Sequence, residues 1–178
     1  HRDLHSFPTR RSSDLEDKEY GIAQSETSND SLRIDLSVKD WFVFNDNFGT
    51  SEEKYLVKFI NKTYEKLKTK FSEVYLVRNE RHFKIFNFDD GRPFEPDFIL
   101  FLTDKKNKVS LHYQIFIEPK GQHLFETDEW KERFLMSLKE DHRVEQLWEN
   151  KNYIIWGMPF FNEEHRKQIF EEEFEKLF

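Results

Sequence analysis

Two adjacent apolar stretches constrain the fold of this chain more than anything else in it. Phe98 to Leu102 read FILFL, apolar without a break, as a strand buried on both faces requires. A polar turn, Thr103 to Lys108, separates them from a second extended run, Val109 to Glu118. The pair predicts a hairpin inside a sheet covered on both sides.

The flanking segments supply the cover. Leu32, Ile34, Leu36 and Val38 alternate with polar residues and predict a strand, which Trp41 to Phe44 extend. Gly49-Thr50-Ser51 breaks the run, and Ser51 or Thr50 is placed to cap a helix reaching about Lys70. Its apolar face is Leu56, Ile60, Tyr64 and Leu67, with Glu52 and Glu53 in the first turn. Glu73 to Val77 and Phe83 to Phe88 read as strands, the second closed by the Asp89-Asp90-Gly91 turn. Thr127 to about Lys139 is predicted helical, with Trp130, Phe134 and Leu138 facing the core. Val144, Leu147 and Trp148 suggest a short further helix, and Tyr153 to Trp156 a strand. Glu163 to Phe178 closes the chain as an amphipathic helix with Ile169, Phe170, Phe174 and Leu177 inward and its many acids on a solvated face. The expected class is α/β or α+β: one central mixed sheet flanked by helices.

The start of the chain stands apart. Residues 1–15, HRDLHSFPTRRSSDL, resemble a translated short-read sequencing adapter joined to a gene, and are excluded from fold reasoning. His1-Arg2-Asp3 imitates a kinase catalytic loop, and Arg10-Arg11 a twin-arginine signal, but neither has the surroundings such motifs need. Residues 16–31 are polar and read as a linker, which leaves 32–178 as one domain.

Formal net charge is -7, and becomes -8 once three arginines and two aspartates leave with the adapter-like segment. A protein that coats nucleic acid would be basic, so that class is disfavoured; a nuclease with a local basic patch is not. Cysteine is absent, so there is no disulfide framework and no thiolate ligand or nucleophile. No apolar stretch reaches the roughly 20 residues of a membrane helix, and no secretory signal is seen. A cytoplasmic location is the expectation.

The chemistry is concentrated in FEPDF, Phe94 to Phe98, and IEPKG, Ile117 to Gly121. Glu118 and Lys120 are two apart on a strand and share a face. Asp97 enters the preceding strand of the hairpin, so the turn can bring it beside Glu118. Two carboxylates there make a hard-oxygen site suited to magnesium. The metal would polarise a phosphoryl oxygen and acidify a bound water, with Lys120 orienting that water or stabilising the transition state. An ordinary salt bridge between Glu118 and Lys120 is the plainer reading. Glu53, near the centre of its helix's apolar face, is a further candidate ligand, and Glu52 is expected to be a solvated first-turn acid. Gln122 could hydrogen-bond a phosphate or hold Lys120. Arg78, Arg81 and Lys84 could contact DNA phosphates, or be ordinary surface charges. His112, His123, His142 and His165 lack zinc-ligand spacing.

The order D…ExK resembles the PD-(D/E)XK nuclease superfamily, Pro96-Asp97 matching its first element and Glu118-Pro119-Lys120 its second. With the capped EEK helix, VYLVRNE, FEPDFILFL and YQIFIEPKGQHL, the stretch from Leu32 to Phe178 resembles the C-terminal endonuclease domain of the restriction subunit of type III restriction systems. The resemblance implies magnesium-dependent cleavage of double-stranded DNA, with manganese as a substitute metal. It also implies an upstream helicase domain driven by ATP and a modification methyltransferase partner. This chain has no GxxxxGK[ST] string, so ATP belongs to the implied upstream domain. A nuclease fold that binds DNA or docks on a helicase without cutting is the alternative, and a domain carrying the motif by chance is the third.

Overall fold

A computed structural model describes residues 17–87, 89–106, 109–141, 145–148 and 151–178. The adapter-like residues 1–15, His142 and Val144 lie outside them. Five strands form the main sheet: β1 (Glu73–Arg78), β4 (Phe98–Lys106), β5 (Val109–Ile117), β6 (Glu145–Trp148) and β7 (Lys151–Gly157), in the order β1-β4-β5-β7-β6. The two-residue strands β2 (Ile85–Phe86) and β3 (Pro93–Phe94) pair separately. The helices are α1 (Ser51–Lys70), α2 (Glu129–Asp141) and α3 (Lys167–Glu175). β1, β4 and β5 form an antiparallel meander, and α2 carries the chain across to β7, which runs parallel to β5. This is the mixed sheet flanked by helices that the sequence predicts.

The unbroken FILFL run is explained by alternation across β4. Phe98, Leu100 and Leu102 join the core under α1 and α3, with Leu56, Ile60, Phe170 and Phe174. Ile99 points the other way, into a second cluster with Phe116 and with Phe134, Leu135 and Leu138 of α2. Strand residues alternate faces, so a strand covered on both sides must be apolar at every position. Gly157 permits the close approach of α2 to β7, since a Cβ there would collide with the Leu135 carbonyl.

Several expectations change. Residues 32–38 are not a strand. Asp35 accepts from Ser37 N–H (3.0 Å) and caps a 3-10 turn at Leu36–Val38, so Leu32 and Leu36 point inward while Val38 is 74% exposed. The extended run survives as a bridge between Phe42 and Leu76 beside β1. The polar stretch 17–31 is packed rather than a linker: Gln24 is fully buried and donates to the carbonyls of Leu32 and Lys54 while accepting from Asn47. Lys54, fully buried, donates to Glu19 O at 2.6 Å and Glu19 Oε2 at 3.0 Å. Leu147 and Trp148 belong to β6, not to a helix; pairing with β7 overrides the helical spacing. The strand expected at Phe83 to Phe88 shrinks to Ile85–Phe86. α3 starts at Lys167, and Glu173 on it is buried, accepting from Trp156 Nε1 at 3.0 Å instead of facing solvent.

Candidate active site

α1 begins with a complete capping box. Thr50 caps it, accepting from Glu53 N–H, while Glu53 Oε2 accepts from Thr50 N–H at 2.5 Å. The other Glu53 oxygen takes two hydrogen bonds from Arg78 at the end of β1, at 3.3 and 3.2 Å. Arg78 also reaches Glu80, at 2.9 Å. Burial pushes the Glu53 carboxyl up against the pull of Arg78. Glu53 therefore stands at the pocket wall with both oxygens engaged, as a helix cap and ion-pair partner. Arg78, suggested as a DNA contact, is 9% exposed and serves as Glu53's counter-ion.

At the start of β4, Asp97 N–H donates to Glu118 Oε2 at 3.0 Å, across a register that pairs Phe98 with Ile117. Glu118 Oε1 lies 2.7 Å from Lys120 Nζ. The hairpin thus brings Asp97, Glu118 and Lys120 together, with Glu118 and Lys120 on one face. Burial lowers the Lys120 pKa, but Glu118, Asp97 and Asp128 outweigh it and hold the ammonium above the usual lysine range. Glu118 is fully buried and Asp97 half-buried.

The segment past β5 is fixed by the segment past β7. Lys120 N–H donates to Phe161 O at 2.9 Å, and Phe161 N–H to Glu118 O at 3.0 Å. Asn162 Nδ2 donates to Lys120 O at 3.0 Å and to Glu52 Oε1 at 3.1 Å. Glu163 N–H donates to Glu52 Oε2 at 3.1 Å. Glu52, expected to be a solvated acid, is thus a half-buried tie between α1 and residues 162–163, and burial pushes its carboxyl up to about 7. Local sequence carried no sign of Asn162 or of Asp128, which accepts from Lys120 at 2.8 Å.

Asp17, Glu52, Glu53, Glu80 and Asp97 line one pocket with Arg78, Lys120, Asn79, Gly121 and His123. Five carboxyl groups stand against two cations there, and although burial pushes Glu52 and Glu53 toward their neutral forms, the pocket is acidic and does not favour phosphate on its own. Among the described residues, no group of three or more His, Asp or Glu is arranged to hold a metal ion. Of the two carboxylates of the hairpin, Asp97 lines this pocket, whereas Glu118 lies fully buried behind it with its oxygens on Asp97 N–H and Lys120 Nζ; magnesium is commonly held by one or two carboxylates, with water and substrate phosphate completing its shell. Gln122 is exposed on a 3-10 turn, Gln122–Leu124, at the rim. Arg81, exposed with φ 61°, and Lys84, paired with Glu95 at 3.1 Å, lie on the loop between β1 and β2.

The fold and site define an α+β domain whose acidic pocket sits where a strand hairpin meets the N-terminus of a helix. The family model HI_1054_C, a C-terminal domain, matches residues 21–178, and the chain belongs to that family. It is 43% identical over 147 residues to an uncharacterized protein of Haemophilus influenzae Rd, an alignment covering 78% of this chain and 32% of that protein. The chain therefore spans about a third of the length of that relative. No solved structure matches. Among the described residues, no helix is long and apolar enough to cross a membrane.

Proposed function

We propose that this domain is a magnesium-dependent DNA endonuclease module that hydrolyses phosphodiester bonds. The observation that carries the reading is the contact of Asp97 N–H with Glu118, whose other oxygen meets Lys120. Asp97 and Glu118 would hold the metal. Bound there, magnesium would supply Lewis acidity toward a phosphoryl oxygen and a water of lowered pKa. Lys120, kept ionised by its carboxylate neighbours, would orient the attacking water or offset charge on the phosphoryl group. Gln122, Arg81 and Lys84 are the accessible candidates for phosphate contacts. In the whole protein we place this module behind an ATP-driven helicase domain, with a modification methyltransferase as partner and a cytoplasmic location, as in the type III restriction enzymes it resembles.

The burial of Glu118, both of whose oxygens are engaged, favours a second reading: a nuclease fold that binds DNA or docks on a motor without cutting. Nicking of supercoiled plasmid by the full-length protein separates the two. Cutting that needs magnesium or manganese and disappears in Asp97→Ala and Lys120→Ala, with folding intact, is the expected result. Undiminished cutting by either variant removes the endonuclease assignment, and a folded wild type that binds DNA without nicking it favours the second reading.

A further inference from the structure

The acidic pocket does not favour phosphate on its own, and Arg78 is engaged by Glu53, so a DNA strand needs its grip elsewhere. A cleft of about 300 Å³ lies between the β2–β3 hairpin and α2, with Asp89, Asp90, Arg92, Trp130 and Arg133 among its walls. Arg92 is held there from two sides. Its guanidinium carbon lies 4.3 Å from the centre of the Trp130 ring, and its Nε donates to the Asp90 carboxylate, which also accepts from the Arg92 N–H at 3.0 Å. Asp89 is exposed at the hairpin turn, where solvent screens it. Among the described residues, the two terminal nitrogens of Arg92 and the whole Arg133 guanidinium have no protein acceptor. A surface arginine ordinarily gives up side-chain freedom when it binds; one already stacked and bonded has lost much of it beforehand.

Both walls of the cleft run on into the candidate active site. Phe94 of β3 packs on Trp130 and Phe134 of α2, with ring centres 6.4 Å apart in each pair, which seats the hairpin on the helix. Asp97 follows three residues later, and Asp128, two residues before Trp130, receives Lys120. Arg92 and Asp97 are five residues apart, so their Cα atoms lie within about 18 Å, roughly half a turn of duplex DNA. We propose that this cleft is a phosphate clamp for the DNA backbone, in which Arg92 and Arg133 hold a phosphate of a strand whose neighbouring stretch lies over the acidic pocket. A guanidinium fork matches two oxygens of a phosphate, and the stack on Trp130 leaves the outer edge of Arg92 open to present it. Arg92 and Arg133 bind and position the strand; they do not act on the scissile bond. The inference rests on the DNA-directed reading given above.

The test is fluorescence anisotropy of the 178-residue chain with a short labelled DNA duplex in EDTA and low salt, so that neither metal nor cutting enters, with circular dichroism to confirm folding. Arg92→Gln and Arg133→Gln are each expected to weaken binding about fivefold, and the double variant to lower the slope of log affinity against log salt by about one. Arg92→Lys keeps the charge but loses the stacked fork, and is expected to stay at least about twofold weaker than wild type. Lys62→Gln, which removes an equal charge from the exposed side of α1, is expected to bind as wild type does. Wild-type affinity in either arginine-to-glutamine variant overturns the inference. So does an equal loss in Lys62→Gln, which would make the effect one of net charge. Displacement of the duplex by polyglutamate as readily as by unlabelled DNA would make the cleft an acidic-peptide site and also overturn it. Metal-dependent plasmid nicking by the wild type in any of those cases leaves the endonuclease reading in place, so the two fail separately. A wild type with no affinity for the duplex overturns this inference and the DNA-directed reading together.

Discussion

Lys120 Nζ lies 2.7 Å from Glu118 Oε1, and both side chains are all but removed from solvent. Removing one member of a buried pair leaves the other charge uncompensated. Glu118→Ala should therefore destabilise the domain by about 3 kcal/mol, moderated by the remaining contact of Lys120 with Asp128. Urea denaturation followed by tryptophan fluorescence measures this; a loss below about 0.5 kcal/mol is what an exposed pair would give, and would show the burial to be wrong.

Glu52 sets a pH dependence. Its carboxyl is raised from 4.5 to about 7 in the folded protein, mainly by burial. The folded state thus binds more protons than the unfolded one between those values, and stability from this group falls as pH rises from about 4.5 to 7. Glu52→Gln should flatten that slope, while costing about 1 kcal/mol at pH 5 because its single oxygen can replace only one of the two acceptors that Asn162 and Glu163 use. Thermal melts at pH 5 and pH 8 decide it, and a Glu52→Gln variant that loses stability more steeply than wild type over this range contradicts it.

Gly157 stands where α2 meets β7. A Cβ there would strike the Leu135 carbonyl, which is backbone and cannot rotate away. Gly157→Ala should cost about 3 kcal/mol, at the upper end for overpacking, because the helix must shift. A melting temperature within a degree or two of wild type would mean that α2 does not pack this closely.

Lys54 ties the N-terminal segment to α1 through Glu19, and Gln24 does the same through Lys54 O. Lys54→Ala should leave Glu19 without its cation and loosen residues 17–49. Limited proteolysis is expected to cut within that segment several times faster than in wild type, with β4 and β5 still protected. Equal cutting rates would show that the segment holds by other contacts.

The parts of this structure that were legible in sequence are those in which the local signal and the tertiary environment agree. The FILFL run, the capped helix at Thr50 and the crossover helix α2 each carry a pattern that only one environment satisfies. The nearness of Asp97 to Glu118 was legible for the same reason, since a hairpin register follows from its turn. Residues 32–38 misled because a side-chain cap at Asp35 can turn an alternating pattern into a 3-10 turn. Residues 17–31 misled because polar composition does not reveal a buried amide such as Gln24. The roles of Glu52 and Glu53 were hidden in their partners: Asn162 lies 110 residues from Glu52, and Arg78 lies 25 from Glu53. No spacing rule reaches that far along a chain.

The bond from Lys120 N–H to Phe161 O has a temporal meaning as well as a spatial one. A ribosome delivers Glu53, Asp97, Glu118 and Lys120 well before it delivers residues 161–163, and long-range pairings of this sort form late. Until residues 161–163 emerge, the backbone that aims Lys120 lacks the Phe161 and Asn162 partners that fix it. A chain halted at residue 158 should therefore show rapid amide exchange at Lys120, so a stretch made after every one of those four side chains is the one that brings the pocket to its finished shape.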